Sequence, residues 1–280
     1  MKSCFVIAEA GVNHNGSLDI AFQLIDEAVK SGADAVKFQS FKADLLVTKN
    51  AKTAEYQRAS TGIADQFSML KKLEMSVEFH QQLFNHCKKQ NIEFMSTPFD
   101  IDSAHYLIDS GMGRLKIPSG ELTNIPFLKA LCTFDKPIIL STGMATLEEV
   151  AEAVETIRNE RLSLNLTGSL GRFLTILHCT SNYPAKYEDV NLKAMKTMAS
   201  QFELPVGYSD HSDGIMVPVA AVAMGATVIE KHFTLSCEME GPDHKASLEP
   251  GQLTEMVKQI RQVESCLGSG EKKPTLRNSP

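Results

Sequence analysis

No stretch of this 280-residue sequence stays apolar for the roughly 18 residues that a membrane span needs. The opening residues 1–10 turn acidic too soon to serve as a secretory hydrophobic segment. There is no block of Lys and Arg either: 28 basic and 34 acidic residues are spread along the chain for a formal charge of -6. That balance lacks the electrostatic footprint of a nucleic-acid or anionic-membrane binder, and neither partner is expected. The 6 cysteines include no CxxC pair, and Cys4 and Cys179 lie inside apolar runs. They read as reduced thiols rather than a disulfide frame, which points to the cytoplasm.

What the chain does hold is 43% hydrophobic residues, enough for one large core. Eight apolar, β-branched runs at 5–9, 35–39, 93–97, 114–118, 137–141, 173–178, 205–209 and 227–232 predict strands. Amphipathic segments at 18–31, 77–90, 147–158, 192–202 and 250–267 predict helices between them. Gly32 and Gly225 follow helix ends, where a left-handed residue closes the last turn. The alternation predicts an α/β fold, a (β/α)8 TIM barrel over residues 1–267, which leaves no strand at an edge. Two segments depart from it. The connection 40–76 is long for a βα loop and rich in Lys, Thr, Ala and Gln, which predicts a lid or oligomer contact, with an insertion lacking fixed structure as the alternative. Residues 268–280 read as a linker.

In such a barrel, polar residues at strand ends carry the chemistry. Period-two alternation selects Glu9, then Lys37 with Gln39, Thr97 with Phe99, Lys116 followed by Ser119 and Glu121, and Ser141. It goes on to Ser181 and Tyr183, then Ser209, Asp210 and His211, and last Glu230 with His232. Two lysines inside short strand runs need a partner, either an anionic ligand or a buried pair with Glu9 or Glu121. With Ser119, Ser141 and Ser209 beside them, an anion site for phosphate or carboxylate is the stronger reading. His211 and His232 end neighbouring strands and are expected to share one divalent metal, with Asp210 and Glu230 orienting the imidazoles. Two protein ligands leave positions for water and substrate oxygens, which suits Mn2+ or Mg2+ better than a closed zinc site. His14 could bind or merely cap its loop; His80, His86 and His105 are expected on helix surfaces.

The motifs AEAGVNHNG (8–16), VKFQ (36–39), STPF (96–99), KIPSGE (116–121), STGM (141–144), HCT (178–180), GYSDH (207–211), EKHF (230–233) and GPD (241–243) occur in order over almost the whole chain. Together they resemble the sialic acid synthase family, the phosphoenolpyruvate-dependent synthases of nonulosonic acids. The resemblance implies that Lys37, Lys116, Ser119, Ser141 and Ser209 hold phosphoenolpyruvate and that His211 and His232 bind a divalent ion, usually manganese, with magnesium or cobalt as alternatives. It implies that Gln39, Glu121, Tyr183 and Asp243 contact the N-acyl sugar, that Glu9 is the acid/base beside the aldehyde, and that Thr97 and Phe99 line the pocket. A homodimer is implied too, as is a small antifreeze-like domain following the 268–280 linker. Where some N-acetylneuraminate synthases have asparagine, this chain has Ser181, with Asn182 displaced by one. Residues 240–250 look closer to the legionaminate and spore-coat branches, whose sugars are 6-deoxy or otherwise modified. The competing readings are a Schiff-base aldolase using Lys116 or Lys231, a synthase of another 2-keto acid, and a non-catalytic barrel that only binds a sugar phosphate.

Overall fold

The computed structural model describes residues 3–53, 58, 61–63 and 65–272. Its elements run β1 (Phe5–Gly11), α1 (Leu18–Lys30), β2 (Ala35–Ser40), α2 (Ala43–Leu46), α3 (Gln66–Leu73), α4 (Val77–Gln90), β3 (Glu93–Pro98), α5 (Ile101–Asp109), β4 (Leu115–Ile117) and α6 (Ile125–Cys132). The second half continues with β5 (Ile138–Ser141), α7 (Leu147–Ser163), α8 (Leu170–Phe173), β6 (Leu174–Cys179), α9 (Lys193–Phe202), β7 (Val206–Asp210), α10 (Met216–Ala223), β8 (Val228–His232) and α11 (Pro250–Leu267). The eight expected strands are all present, in the order β3-β2-β1-β8-β7-β6-β5-β4, and every ladder is parallel. β3 and β4 stand beside each other without a ladder among the described residues, so the barrel is nearly closed.

Two apolar layers follow from the alternation of each strand. Outward residues such as Val6, Ala8, Val36, Phe38, Ile176 and Ile229 join the large core under the helices. Inward residues Ile7, Ala35, Met95, Ile139, Leu177 and Val228 form a separate plug inside the bore. The side chain two residues further along each of those six strands is Glu9, Lys37, Thr97, Ser141, Cys179 or Glu230, and all six line one cavity. A step of two residues rises about 6.6 Å and returns to the same face, so the polar ring sits one layer above a dry floor.

The helices carry the expected stops and starts. Ser17 and Ser76 accept from backbone N–H groups at the starts of α1 and α4, and Thr146 with Glu149 forms a reciprocal cap on α7. Gly32 takes φ 78 after α1, the left-handed turn expected there.

The connection 40–76 is more ordered than a structureless insertion. Its described part holds α2 and α3, and Phe41, Met69 and Leu73 pack with Val12 in a cluster of their own. Residues 54–57, 59–60 and 64, which belong to that predicted lid, lie outside the described residues, as do 273–280 of the predicted linker. No described helix is long and apolar enough to cross a membrane.

Candidate active site

A cavity of about 500 Å3 opens at the C-terminal ends of the strands. It brings together Glu9, Lys37, Gln39, Thr97, Phe99, Lys116, Ser119, Ser141, Ser181, Tyr183, Ser209, His211 and His232, residues from eight strands and the loops that follow them. Three residues selected from the sequence, Asp210, Glu121 and Asp243, are not on its wall. β4 is only three residues long, and the chain enters a 3-10 turn at Ser119–Glu121 that carries Glu121 away, where its carboxylate accepts from Asn124 Nδ2 at 2.7 Å. Asp243 precedes the 3-10 turn His244–Ala246, and its carbonyl accepts from Ser247 Oγ at 2.7 Å.

At the centre lie two ammonium groups bridged by one carboxylate. Lys37 Nζ stands 2.8 Å from Glu9 and 3.6 Å from Glu230, and it donates to Thr97 Oγ1 at 2.9 Å. Lys116 Nζ donates to Ser141 Oγ at 2.7 Å and to the Ile117 carbonyl at 3.2 Å, with Glu230 at 3.6 Å. Glu230 also accepts from Ser209 Oγ at 3.0 Å. Of the pairings expected for the lysines, Glu9 is present and Glu121 is absent; the bridging role belongs to Glu230. Sequence alternation put Glu230 in the bore, but only the folded distance shows that it serves the lysines rather than a histidine.

Burial separates the two carboxyls. It pushes Glu9 up to about 7, since Lys37 offsets only part of the lost hydration and Glu230 adds repulsion. Burial works against Glu230 as well, but Lys116 and Lys37 outweigh it and hold that carboxyl near about 2. Burial also opposes the charge on Lys37, yet Glu230 and Glu9 overcome it and raise the ammonium's pKa. Lys116 is lowered, because burial exceeds the attraction of Glu230 and Lys37 repels it. The result is a carboxylate that stays ionised between two ammonium groups, beside a carboxyl that holds its proton more readily and pairs with Lys37.

Across the cavity the rings of His211 and His232 lie 5.6 Å apart, and Tyr183 covers both, at 4.2 Å from His211 and 5.8 Å from His232. His211 Nδ1 is 2.7 Å from the Thr180 carbonyl. A carbonyl cannot donate, so Nδ1 carries the hydrogen and Nε2 keeps its lone pair. Burial lowers both imidazoles, which favours their neutral, metal-binding form. His232 Nδ1 is buried without a hydrogen-bond partner among the described residues. The donor set thus fits a divalent ion with open positions, and among the described residues no group of three His, Cys, Asp or Glu could hold an ion by itself. Neither expected orienting carboxylate contacts an imidazole: Glu230 is engaged with the lysines, and Asp210 pairs with Lys231 at 2.5 Å.

A narrow cradle adjoins Lys116. Gly143 N donates to Ser119 Oγ at 2.9 Å, and Ser119 Oγ lies 3.2 Å from Cys179 Sγ. A Cβ on Gly143 would fall closer than 3.0 Å to Ser181 Oγ, Cys179 Sγ and Ser119 Oγ, so only glycine leaves this corner open. Cys179, Met144 and Gln66 also line the cavity, and sequence reasoning did not select them. Alternation had the means to find Cys179, two residues beyond the plug residue Leu177; nothing local distinguishes Gln66, which arrives from the long connection.

The four other histidines singled out in the sequence sort by environment. His14 is buried, and its Nδ1 accepts the Gly16 N–H at 3.0 Å, a loop cap rather than a site contact. His80, expected on the surface, is buried: Ser40 Oγ lies 2.5 Å from Nε2 and the Ser76 carbonyl 2.9 Å from Nδ1, because α4 turns that face onto β2. His86 is half-buried beside Asp26 at 2.7 Å, and His105 is exposed.

The profile of the NeuB family matches residues 24–272 of this chain. The chain is 53% identical over 279 residues to the N,N'-diacetyllegionaminic acid synthase of Legionella pneumophila, a match spanning 99% of this chain and 77% of that one. It is 51% identical over 274 residues to the enzyme of the same name from Campylobacter jejuni, spanning 98% and 80% of the two chains. Among solved structures, the N-acetylneuraminic acid (sialic acid) synthetase of Leptospira borgpetersenii, in complex with citrate, matches with a TM-score of 0.85 at 35% identity over 99% of this chain and 89% of that one.

Proposed function

The chain belongs to the NeuB family, and from that premise we propose that it condenses phosphoenolpyruvate with the open-chain aldehyde of an N-acylhexosamine, releasing phosphate and a nonulosonic acid. The two relatives at 53% and 51% identity make a diacetylated legionaminic acid the product of choice. The observation that carries the reading is the pairing, in one cavity, of two buried ammonium groups with two neutral imidazoles.

In this reading Lys37 and Lys116 bind the phosphate and carboxylate of phosphoenolpyruvate, and Ser119, Ser141 and Ser209 donate hydrogen bonds to the same groups. Gln39 and Tyr183 face the acceptor sugar, with Thr97, Phe99 and Ser181 shaping its pocket. His211 and His232 would hold a divalent ion, Mn2+ in the first instance, and its chemistry is to polarise the aldehyde oxygen. C3 of phosphoenolpyruvate attacks the aldehyde carbon, forming the new C–C bond and leaving positive charge at C2. Water adds at C2, and the tetrahedral intermediate breaks its C–O bond to expel phosphate. Glu9, with a carboxyl that titrates near about 7, is matched to moving a proton at the new hydroxyl or the attacking water. The working unit proposed is a homodimer, and the cytoplasm is its proposed compartment, a choice supported by six unpaired cysteines.

The Schiff-base alternative loses Lys231, which is buried against Asp210 and is not part of the cavity wall. The deciding experiment measures phosphate release and 2-keto acid formation with phosphoenolpyruvate, Mn2+ and a panel of N-acylhexosamines and aldose phosphates. Turnover with diacetylated acceptors is expected; consumption of phosphoenolpyruvate only with aldose phosphates would move the chain to a different synthase class.

A further inference from the structure

β7 and β8 carry a second pair of charges, on the face turned away from the cavity. Asp210 and Lys231 are register partners in the ladder, and both side chains are fully enclosed, with Nζ 2.5 Å from Oδ2. Lys231 Nζ also donates to the Ser212 carbonyl, and Asp210 Oδ1 accepts from the Ser212 backbone N–H at 3.1 Å and from Ser212 Oγ at 2.8 Å. Neither charge lines the cavity. A buried ion pair is an unreliable source of stability, because the attraction between the charges must first offset two lost hydration shells. Its better-attested use is to specify one geometry, and its place in the chain shows which.

Asp210 and Ser212 flank His211, and Lys231 directly precedes His232. The network therefore ties the backbone on both sides of one imidazole to the backbone next to the other. The remaining bonds of His211 run the opposite way, Nδ1 donating to the Thr180 carbonyl and its own carbonyl accepting from Ala185 N at 2.8 Å, both towards the loop after β6. His232 Nδ1 has no hydrogen-bond partner among the described residues. Beyond the backbone ladder, β8's imidazole is registered against β7's by this clamp on the outer face and by the Ser209–Glu230 bond on the inner one.

We propose that Asp210 and Lys231 are positioning residues that set the separation of His211 and His232, and through it the affinity for the divalent cation the two imidazoles would hold. This rests on reading the histidine pair as metal ligands, so the test measures cation binding without substrate. Mn2+ affinity would be followed by electron paramagnetic resonance of the free ion in the wild type, in the Asp210→Asn/Lys231→Met double variant, in Ser212→Ala and in His211→Ala. The double variant leaves no uncompensated buried charge, and Ser212→Ala removes only one bond of the clamp.

Loss of an outer-shell orienting group typically weakens metal binding by about 10- to 100-fold, and that is the fall expected in the double variant, with a smaller loss in Ser212→Ala. Phosphoenolpyruvate affinity by calorimetry should stay unchanged, since Lys37 and Lys116 are untouched; a general loosening of the barrel would lower both. Wild-type Mn2+ affinity in a folded double variant overturns the proposal alone. Should the double variant fail to fold, unchanged affinity in Ser212→Ala overturns it. Undiminished binding by His211→Ala, or no binding by the wild type, overturns the metal reading and the proposal with it.

Discussion

Replacing Glu230 with glutamine keeps the volume of the side chain and removes the charge that bridges Lys37 and Lys116. Each ammonium lies 3.6 Å from a Glu230 oxygen, and at an effective dielectric of about 20 each contact amounts to roughly 5 kcal/mol of gross attraction. Much of that is offset by the cost of burying the carboxylate itself. The net can be read from the carboxyl's own titration: a fall from 4.5 to about 2 corresponds to about 3 kcal/mol. The usual loss on removing one partner of a buried pair is similar, about 3–5 kcal/mol. The partners are unequal, since Lys116 is lowered even with Glu230 present. In Glu230→Gln, Lys116 can shed its proton, which limits the loss to the lower end of that range. At roughly 2–4 °C per kcal/mol for a domain of this size class, the melting temperature at pH 7 should fall by on the order of 10 °C. The sign with pH follows from the depressed carboxyl. Its stabilisation is fully present above 4.5 and is lost as pH falls through about 2, so the gap between wild type and variant should close over that interval. Circular-dichroism melts at several pH values, with and without added phosphate, would follow both effects, and phosphate should recover more stability in the variant than in the wild type. Equal melting temperatures at pH 7 would refute the bridge.

Glu9, raised to about 7, contributes stability that declines as pH rises from 4.5 through about 7; Glu9→Gln should remove that slope from the melting profile and abolish a break near pH 7 in kcat/KM. Gly143→Ala should leave the fold intact but raise KM for phosphoenolpyruvate by about 10-fold or more, measured by phosphate release, because the new methyl displaces the hydroxyls around it. His211→Ala should lower kcat by roughly 100- to 1000-fold and lower bound Mn2+ in the purified protein; full activity in a metal-free preparation would remove the metal from the reaction. Borohydride with pyruvate should leave Lys116 unmodified by mass spectrometry, since its Nζ is engaged by Ser141, Ile117 and Glu230.

Alternation made most of the site legible. In Ile7-Ala-Glu9, Ala35-Val-Lys37 and Val228-Ile-Glu230, the inward positions two apart are an apolar plug residue and a polar wall residue, and steric direction alone puts both in the bore. Glu121 lies in a 3-10 turn after β4 has ended, where the period of two no longer holds, and Asp243, implied by the family resemblance alone, stands well beyond the end of β8. His80 lies on a helix face that the sequence alone marks as solvent-facing, and only the folded chain shows that β2 covers it with Ser40.

The sequence by itself determined the eight-strand barrel and the polar residue types gathered at its mouth, since side-chain direction along a strand is a local steric property. Only the tertiary structure decided that Glu230 serves two lysines, that Asp210 serves Lys231 instead of a histidine, and that Glu9 and Glu230 titrate far apart. Those are matters of distance and desolvation between segments far apart in the chain, and electrostatics among buried groups depends on both.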